Sequence, residues 1–218
     1  MSIIFSGLIS AIAVNKALNS MHKQIGANVK TSFSLQGGEE GIKKELAEKA
    51  ARTEGIEKHN YLINSVVKTD RKIVDKRNSN VNVQGYVSED GVRMLGIEDS
   101  SLYPAFFSRI YELTEVKPVK SGDAGSALIH EEFARLNNMK VGDSLTLQKN
   151  GKEVKLKVVG IYLGTAIKRG VMSADNVENN IFTDLRSAET LQGGKDTYMG
   201  QAWFFTKEVG QIEHKRRE

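Results

Sequence analysis

Hydrophobic and polar positions follow their most regular pattern between Ser126 and Leu163. The stretch opens with a short apolar run and continues with one or two turns of amphipathic helix. Two segments of alternating apolar and polar residues come next, and this alternation is typical of half-buried strands. The Asn150-Gly151 pair between them favours a type I′ turn, because that turn requires two residues with positive φ. The stretch therefore predicts a strand, a helix and a β-hairpin.

The chain before residue 54 alternates between helical and strand patterns. Residues 3–25 are predicted to form one helix, very apolar at its start and amphipathic at its end. Residues 29–36 alternate as a strand does. Residues 39–53 predict a second helix with Leu46 in its apolar stripe, and its acid-before-base pairs four positions apart indicate a solvated face.

The middle of the chain predicts strands and an aromatic helix. Residues 56–97 suit several short strands. A helix is expected to begin at Asp99 or Ser100, to hold Pro104 in its first turn and to run to Leu113. Its aromatic residues are expected to pack in the core and are Tyr103, Phe106, Phe107 and Tyr111.

The last third of the chain is more polar. Residues 164–200 are expected to form a partly mobile excursion with one strand and a short helix. Residues 202–206 predict a final strand because aromatic residues favour strands. The charged tail after residue 210 is expected to start a helix or to fray.

Composition and charge exclude several classes of protein. The chain has 218 residues, a net charge of +4 and no cysteine, so disulfides and thiolate nucleophiles are excluded. Acidic and basic residues are interleaved, which indicates solvated surfaces and not a nucleic-acid site. No segment reaches the 20 or so apolar residues that a membrane span needs. Residues 3–14 lack the flanks of a signal peptide, and either an amphipathic helix or the outer end of a membrane helix fits them.

No motif in the sequence carries chemistry. A phosphate-binding loop is missing, and no two histidines have the spacing of a zinc motif. His130 with Glu131 and Glu132 is the one acid–base cluster, and a helix that starts with acids in its first turn explains it. We therefore predict no catalytic, cofactor-binding or metal-ligating residue, no cofactor and no enzymatic activity.

The regular stretch carries a resemblance to a known family. Its helix, its Val141-Gly142-Asp143 turn and its hairpin ending in Val159-Gly160-Ile161 resemble the MacB-type extracytoplasmic domain of FtsX-like ABC transporter permeases. Residues 94–97, followed by the aromatic segment, and the strand over residues 202–206 are similar to further elements of that domain.

The resemblance implies an α+β fold with two subdomains. A porter-like α+β subdomain would be built from both chain ends, residues 1–78 plus 196–218. A β-rich, Sabre-like subdomain, residues 79–195, would be inserted between them. The membrane helices and the nucleotide-binding domain of such a transporter are absent from the sequence, so we interpret the chain as an ectodomain whose two ends point to the same membrane face.

The function implied is that of the extracellular domain of a permease subunit on the extracytoplasmic side of the cell membrane. Such a domain transmits ATP-driven motion of the membrane helices during export of antibiotics, peptides or lipoproteins. The implied partners are an ABC ATPase subunit or domain, a membrane-fusion (adaptor) protein, and a second copy or a paralogous permease. Two alternatives stay open: a secreted or surface-anchored binding module, and an FtsX-like regulator of a cell-wall hydrolase.

Overall fold

The structure is a computed structural model that describes residues 31–75, 91–165 and 172–206. Strands dominate these residues and are β1 (Thr31–Gln36), β2 (Ile42–Lys43), β3 (Ile56–Thr69), β4 (Val92–Ile97), β5 (Tyr111–Val116), β6 (Ser126–His130), β7 (Ser144–Lys149), β8 (Lys152–Gly164), β9 (Asn180–Asp184), β10 (Thr197–Tyr198) and β11 (Gly200–Thr206). The α-helices are α1 (Lys44–Ala51), α2 (Pro104–Phe107), α3 (Glu131–Leu136) and α4 (Leu185–Gln192). Short 3-10 turns occupy Ser100–Leu102, Ser173–Asp175 and Val177–Asn179.

Nine of the described strands form one mixed sheet. Its order is β1-β11-β3-β4-β9-β6-β8-β5, and β7 pairs with both β3 and β8. The pairs β4–β9 and β6–β8 are parallel, whereas β3–β4, β6–β9, β7–β8 and β5–β8 are antiparallel. The strands β2 and β10 form a separate two-stranded sheet. A large mixed sheet with few helices confirms the predicted α+β class.

The described residues divide into two compact units. The larger lies within residues 34–49 and 60–203, and the smaller consists, where the structure describes it, of residues 31–33, 50–59 and 204–206. In the larger unit, every residue of β6 and β9 is buried, as expected of strands that are covered on both faces. In the smaller unit, the ring of Phe33 stacks on that of Phe204 with centroids 5.1 Å apart. The porter-like and Sabre-like division remains a prediction.

The hairpin is confirmed. Asn150 has φ 52° and Gly151 has φ 74°, as a type I′ turn requires. Lys149 pairs with Lys152 across the turn, which fixes the register of β7 against β8. The strand and helix expected within residues 164–200 are also present as β9 and α4, although β9 lies in the core and not in a polar excursion.

The predicted helix over residues 39–53 is too long at its start. The helix α1 begins at Lys44, because residues 42–43 instead form β2 and pair with β10. Leu46, which was expected in the buried stripe, is 55% exposed, whereas Ala47 is fully buried. The pairing of residues 42–43 with β10 therefore outweighs the local helical spacing. The helix buries the face that contains Ala47 and not the face that contains Leu46.

The second half of the predicted aromatic helix is wrong. The helix α2 ends at Phe107, and Arg109 adopts φ 58°, which reverses the chain. The residues that follow form β5, which pairs antiparallel with β8. Ile110, expected in the helical stripe, is 57% exposed. The helical spacing is outweighed by hydrogen bonds to a strand about fifty residues further along the chain.

Two of the strands expected within residues 56–97 are present in the part that the structure describes, and the first is longer than predicted. The strand β3 continues for 14 residues, from Ile56 to Thr69, and β4 follows after residue 91. The predicted helix over residues 3–25, the first residues of the strand predicted over 29–36, the expected strand near residues 81–87 and the charged tail lie outside the described residues.

Candidate functional site

A polar cleft of about 530 Å³ lies in the larger unit, over one face of neighbouring strands β1, β11, β3 and β4. Hereafter "the polar cleft" means the space lined by Gln36, Gly37, Leu62, Asn64, Arg93, Leu95, Tyr103, Tyr111, Asp175, Val177, Asn180, Gly200 and Gln201. Its volume falls within the range of about 300–1,000 Å³ that is common for small-molecule sites.

The two charges in the polar cleft neutralise each other. One terminal nitrogen of Arg93 lies 2.6 Å from Oδ1 of Asp175, and the other donates to Oδ1 of Asn64 at 3.2 Å. The Nε–H of Arg93 donates to the carbonyl oxygen of Ala174 at 2.9 Å. The guanidinium thus fastens the 3-10 turn at residues 173–175 to β4, and the remaining polar side chains of the cleft are neutral.

Two tyrosines form a wall of the polar cleft. The rings of Tyr103 and Tyr111 lie stacked at 6.3 Å. Burial raises the pKa of Tyr103, partly opposed by the charge of Arg93. Burial, with Tyr103 and Glu178 nearby, raises the pKa of Tyr111 to about 12, although a hydrogen bond from Asn180 opposes the rise. Both hydroxyls therefore keep their protons near neutral pH.

Local sequence explains how these tyrosines are placed. The carboxylate of Asp99 accepts a hydrogen bond from the Ser101 N–H at 2.9 Å, which confirms the predicted start of the helical turn. Pro104 then opens α2, as expected of a proline at the first helical position. A Cβ atom on Gly164 would lie only 2.3 Å from the ring of Tyr111, so a glycine is required where β8 passes it.

The two tyrosines of the wall belong to a larger aromatic cluster. Its rings, with neighbouring centroids 5.0 to 6.4 Å apart, belong to Tyr103, Phe106, Tyr111, Tyr162 and Phe182. The single hydrogen of the Tyr162 hydroxyl is shared between the carbonyl oxygens of Val177 and Asn180, and burial raises the pKa of Tyr162 well above the usual value. Tyr103, Phe106 and Tyr111 thus contact the buried rings of Tyr162 and Phe182 but are themselves only half-buried, and Phe107 is 40% exposed, so the predicted core position is met in part.

The acid–base cluster at His130 lies outside the polar cleft and has the predicted structural role. Nδ1 of His130 accepts the N–H of Glu132 at 3.1 Å and caps α3. Its Nε2 contacts the carbonyl oxygen of Gly164 at 2.9 Å, so this nitrogen is the one that donates. Among the described residues no three potential ligands are grouped closely enough to hold a metal ion.

Sequence reasoning missed the polar cleft. Its residues come from six strands and two 3-10 turns that are far apart along the chain, so no spacing brings them together. Residues 176–180 contain three asparagines, of which Asn180 lines the cleft, but asparagine is equally common in turns and gave no signal.

The strands β1 and β11 define a second feature of interest. They are neighbours in the sheet, and the Gly37 N–H donates to the carbonyl oxygen of Gly200 at 3.0 Å. Phe33 precedes Gly37 by four residues, Phe204 follows Gly200 by four residues, and the rings of these two phenylalanines are in contact. The two strands are therefore antiparallel, and the first residue of β1 lies at the same end of the pair as the last residue of β11.

Solved structures of a periplasmic region and of an extracellular transporter domain have a similar fold. One such structure is the periplasmic region of MacB from Actinobacillus actinomycetemcomitans, at 11% identity and a TM-score of 0.54 over 88% of this chain and 81% of that one. The extracellular domain of the transporter YknZ from Gram-positive bacteria is similar at 10% identity and a TM-score of 0.51, over 84% of this chain and 88% of that one. The resemblance found in the sequence is thus confirmed for the fold.

Other comparisons add nothing to this assignment. No protein-family model matches the chain, and no curated protein matches it in sequence. Within the described residues, no helix has the length and apolar character that crossing a membrane requires.

Proposed function

We propose that this chain is the extracytoplasmic domain of an ABC transporter permease subunit. The support is the fold that it shares with the MacB and YknZ domains over more than four fifths of its length. The proposed domain works mechanically: it transmits the ATP-driven motion of membrane helices to the outside of the cell, and it is not an enzyme.

The observation that carries this proposal is the arrangement of β1 and β11. A domain inserted between two membrane helices must begin and end on the same side. In the smaller unit, the chain enters the described region at the start of β1 and leaves it at the end of β11, and these positions are neighbours in the sheet. Motion of two anchoring helices would therefore act directly on two hydrogen-bonded strands.

Further parts of the proposal follow from the family that the fold resembles. The motor would be an ABC ATPase subunit or domain, and the partners would be a membrane-fusion protein and a second copy or a paralogous permease. The domain would consist of a porter-like subdomain (residues 1–78 plus 196–218) and a Sabre-like subdomain (residues 79–195), and it would dock the adaptor. The exported substrates would be antibiotics, peptides or lipoproteins.

The absence of cysteine from the chain makes a direct test of location possible. In the organism that encodes the protein, a Lys152→Cys copy places one thiol at the exposed hairpin. We expect a membrane-impermeant maleimide to label it in intact cells, and the labelled protein to sediment with the membranes after a high-pH wash. Val158→Cys, at a fully buried position, is the matched control and should label only after unfolding.

Two results would contradict the proposal. Labelling of Lys152→Cys only after lysis would place the domain inside the cell. Labelled protein in the culture medium, free of membranes, would favour the secreted binding module.

A further inference from the structure

We propose that residues 71–74, hereafter called the strap, open and close as one unit and form a releasable connection at the end of β3. Two asparagine side chains hold the main chain of the strap in the larger unit. This inference goes beyond the proposed function, because it concerns a conformational change inside the larger unit and holds wherever the domain is located.

The main chain of the strap lies outside the strand ladders. The strand β3 ends at Thr69, which pairs with Leu147 of β7. Asp70 makes the last contacts of this kind: its N–H donates to the carbonyl oxygen of Thr146 at 3.3 Å, and its Oδ1 accepts the Thr146 N–H at 2.9 Å. No backbone–backbone hydrogen bond joins residues 71–74 to another described residue. Side chains or water must therefore pair the polar groups of the strap.

Two asparagine amides take the place of a neighbouring strand. Oδ1 of Asn137 accepts the N–H of Lys72 at 2.8 Å, and its Nδ2 donates to the carbonyl oxygen of Lys72 at 2.9 Å. Asn179 forms the same two hydrogen bonds with Val74, each at 2.8 Å. Each amide thus exchanges with the strap the two bonds that a hydrogen-bonded residue pair exchanges in an antiparallel ladder. The strap is held at two positions that are two residues apart.

Each asparagine is also bound to its own element. Asn137 directly follows α3, and its Nδ2 donates to the carbonyl oxygen of Phe133 in that helix at 3.0 Å. Asn179 ends the 3-10 turn at residues 177–179, is fully buried, and donates from Nδ2 to the carbonyl oxygen of Ser173 at 2.8 Å. These bonds orient both amides without help from the strap. An opened strap can therefore bind again to the same two side chains.

Little else holds the strap in place. Val74 is the one buried side chain among its four residues, and Lys72 is exposed. Arg71 donates from its guanidinium to the carbonyl oxygen of Ser144. Segments with few buried apolar side chains and no ladder open locally while the rest of the protein stays folded. Because the two amide pairs lie so close along a short segment, loss of one should release the other.

The test is backbone amide hydrogen exchange of the 218-residue chain, followed by NMR. In the parent chain, the amides of Lys72 and Val74 should exchange more slowly than in an unfolded chain and faster than the amides of the β3–β4 ladder. Asn137→Ala removes two hydrogen bonds to Lys72 and should accelerate both amides by about tenfold or more, although Asn137 does not bond to Val74. Asn179→Ala should accelerate the Lys72 amide in the same way.

Asn60→Ala is the matched control, because Asn60 forms the same kind of pair with the main chain of Asp99, at 2.9 and 3.0 Å. It should leave the difference between the strap and the β3–β4 ladder unchanged. The amide of Met139, which donates to the carbonyl oxygen of Ala134, reports on the end of α3 and should stay unchanged in Asn137→Ala. Asn137 is only half-buried, so this variant carries the test even where Asn179→Ala does not fold.

Three outcomes would overturn the proposal. The first is exchange of Lys72 and Val74 in the parent chain at the rate of an unfolded chain. The second is acceleration of Lys72 alone in Asn137→Ala, which would mean that the two amide pairs open independently. The third is equal acceleration of the strap and of the β3–β4 ladder, which would mean that the strap opens only when the whole unit unfolds. None of these outcomes bears on the location test, so the two proposals fail separately.

Discussion

At the scale of single residues, the buried carboxylate of Asp184 organises the centre of the larger unit. Its Oδ2 accepts the N–H groups of Gly125 at 2.8 Å and Ser126 at 3.2 Å, and the Ser187 hydroxyl at 2.7 Å. Its Oδ1 accepts the Ser187 N–H at 2.9 Å and caps α4. One side chain thus links the start of β6 to the start of α4.

Asp184→Asn should lower the free energy of unfolding by about 2–3 kcal/mol. Both carboxylate oxygens accept backbone N–H groups, so the NH2 group of asparagine must replace one acceptor and face a backbone N–H that it cannot bind. Urea unfolding measures this loss. Asp123→Asn, which affects an exposed carboxylate that accepts only the Lys120 N–H, is the matched control and should change stability by less than about 0.5 kcal/mol. Equal effects of the two substitutions would contradict the role assigned to Asp184.

Tyr111 makes stability depend on alkaline pH. Its pKa is raised to about 12, chiefly by burial, above the value of about 10 in an unfolded chain. Above pH 10 the unfolded phenol loses its proton while the folded one keeps it, so stability falls as pH rises towards 12. In Tyr111→Phe this fall should be smaller, as measured by urea unfolding between about pH 9 and 12. Parallel curves for the two proteins would refute the assignment.

At the scale of elements, the β7–β8 hairpin depends on its two-residue turn. Gly151→Val should lower stability by about 1 kcal/mol or more, because a β-branched residue resists positive φ. Thermal unfolding measures the effect. Gly122→Val is the matched control, since Gly122 has open space around it and no positive φ. A melting temperature that changes equally in both variants would mean that backbone conformation is not the cause.

The contact between α4 and β4 depends on one glycine. A Cβ atom on Gly96 would lie 2.0 Å from the Cβ of Ala188. Gly96→Ala should therefore lower stability by about 1–3 kcal/mol through overpacking. Adding Ala188→Gly should restore part of this loss, although glycine in a helix itself costs about 1 kcal/mol. Strictly additive unfolding energies in the double variant would show that the two residues do not compete for space.

The sequence predicts correctly those elements that are determined by neighbouring residues. The Asn150-Gly151 turn is set by two adjacent residues, and the capping of the helical turn by Asp99 is set by residues two positions apart. The stretch that became β5 has the spacing of a helix, and only its pairing with β8, far along the chain, decides otherwise. The polar cleft escapes prediction for the same reason, because it exists only where six strands and two 3-10 turns meet.

At the scale of the whole molecule, the account depends on how the chain connects to a membrane. The antiparallel neighbours β1 and β11 bring the first and last described residues to one end of a strand pair. This arrangement suits a domain that is anchored at two adjacent points and moved by both. A domain anchored at opposite poles would stretch under the same motion and would not transmit it.

The most direct measurement is the distance between spin labels on cysteines introduced at Ser10 and Glu213, determined by pulsed dipolar spectroscopy. Both positions lie outside the described residues, so the result tests the account independently. Two anchoring segments that pack at about 8–10 Å should give a defined label distance below about 30 Å. A chain of this length has a radius of gyration of about 17 Å, so ends at opposite poles would give about 40 Å or more. That longer distance would contradict the claim that both ends face one membrane.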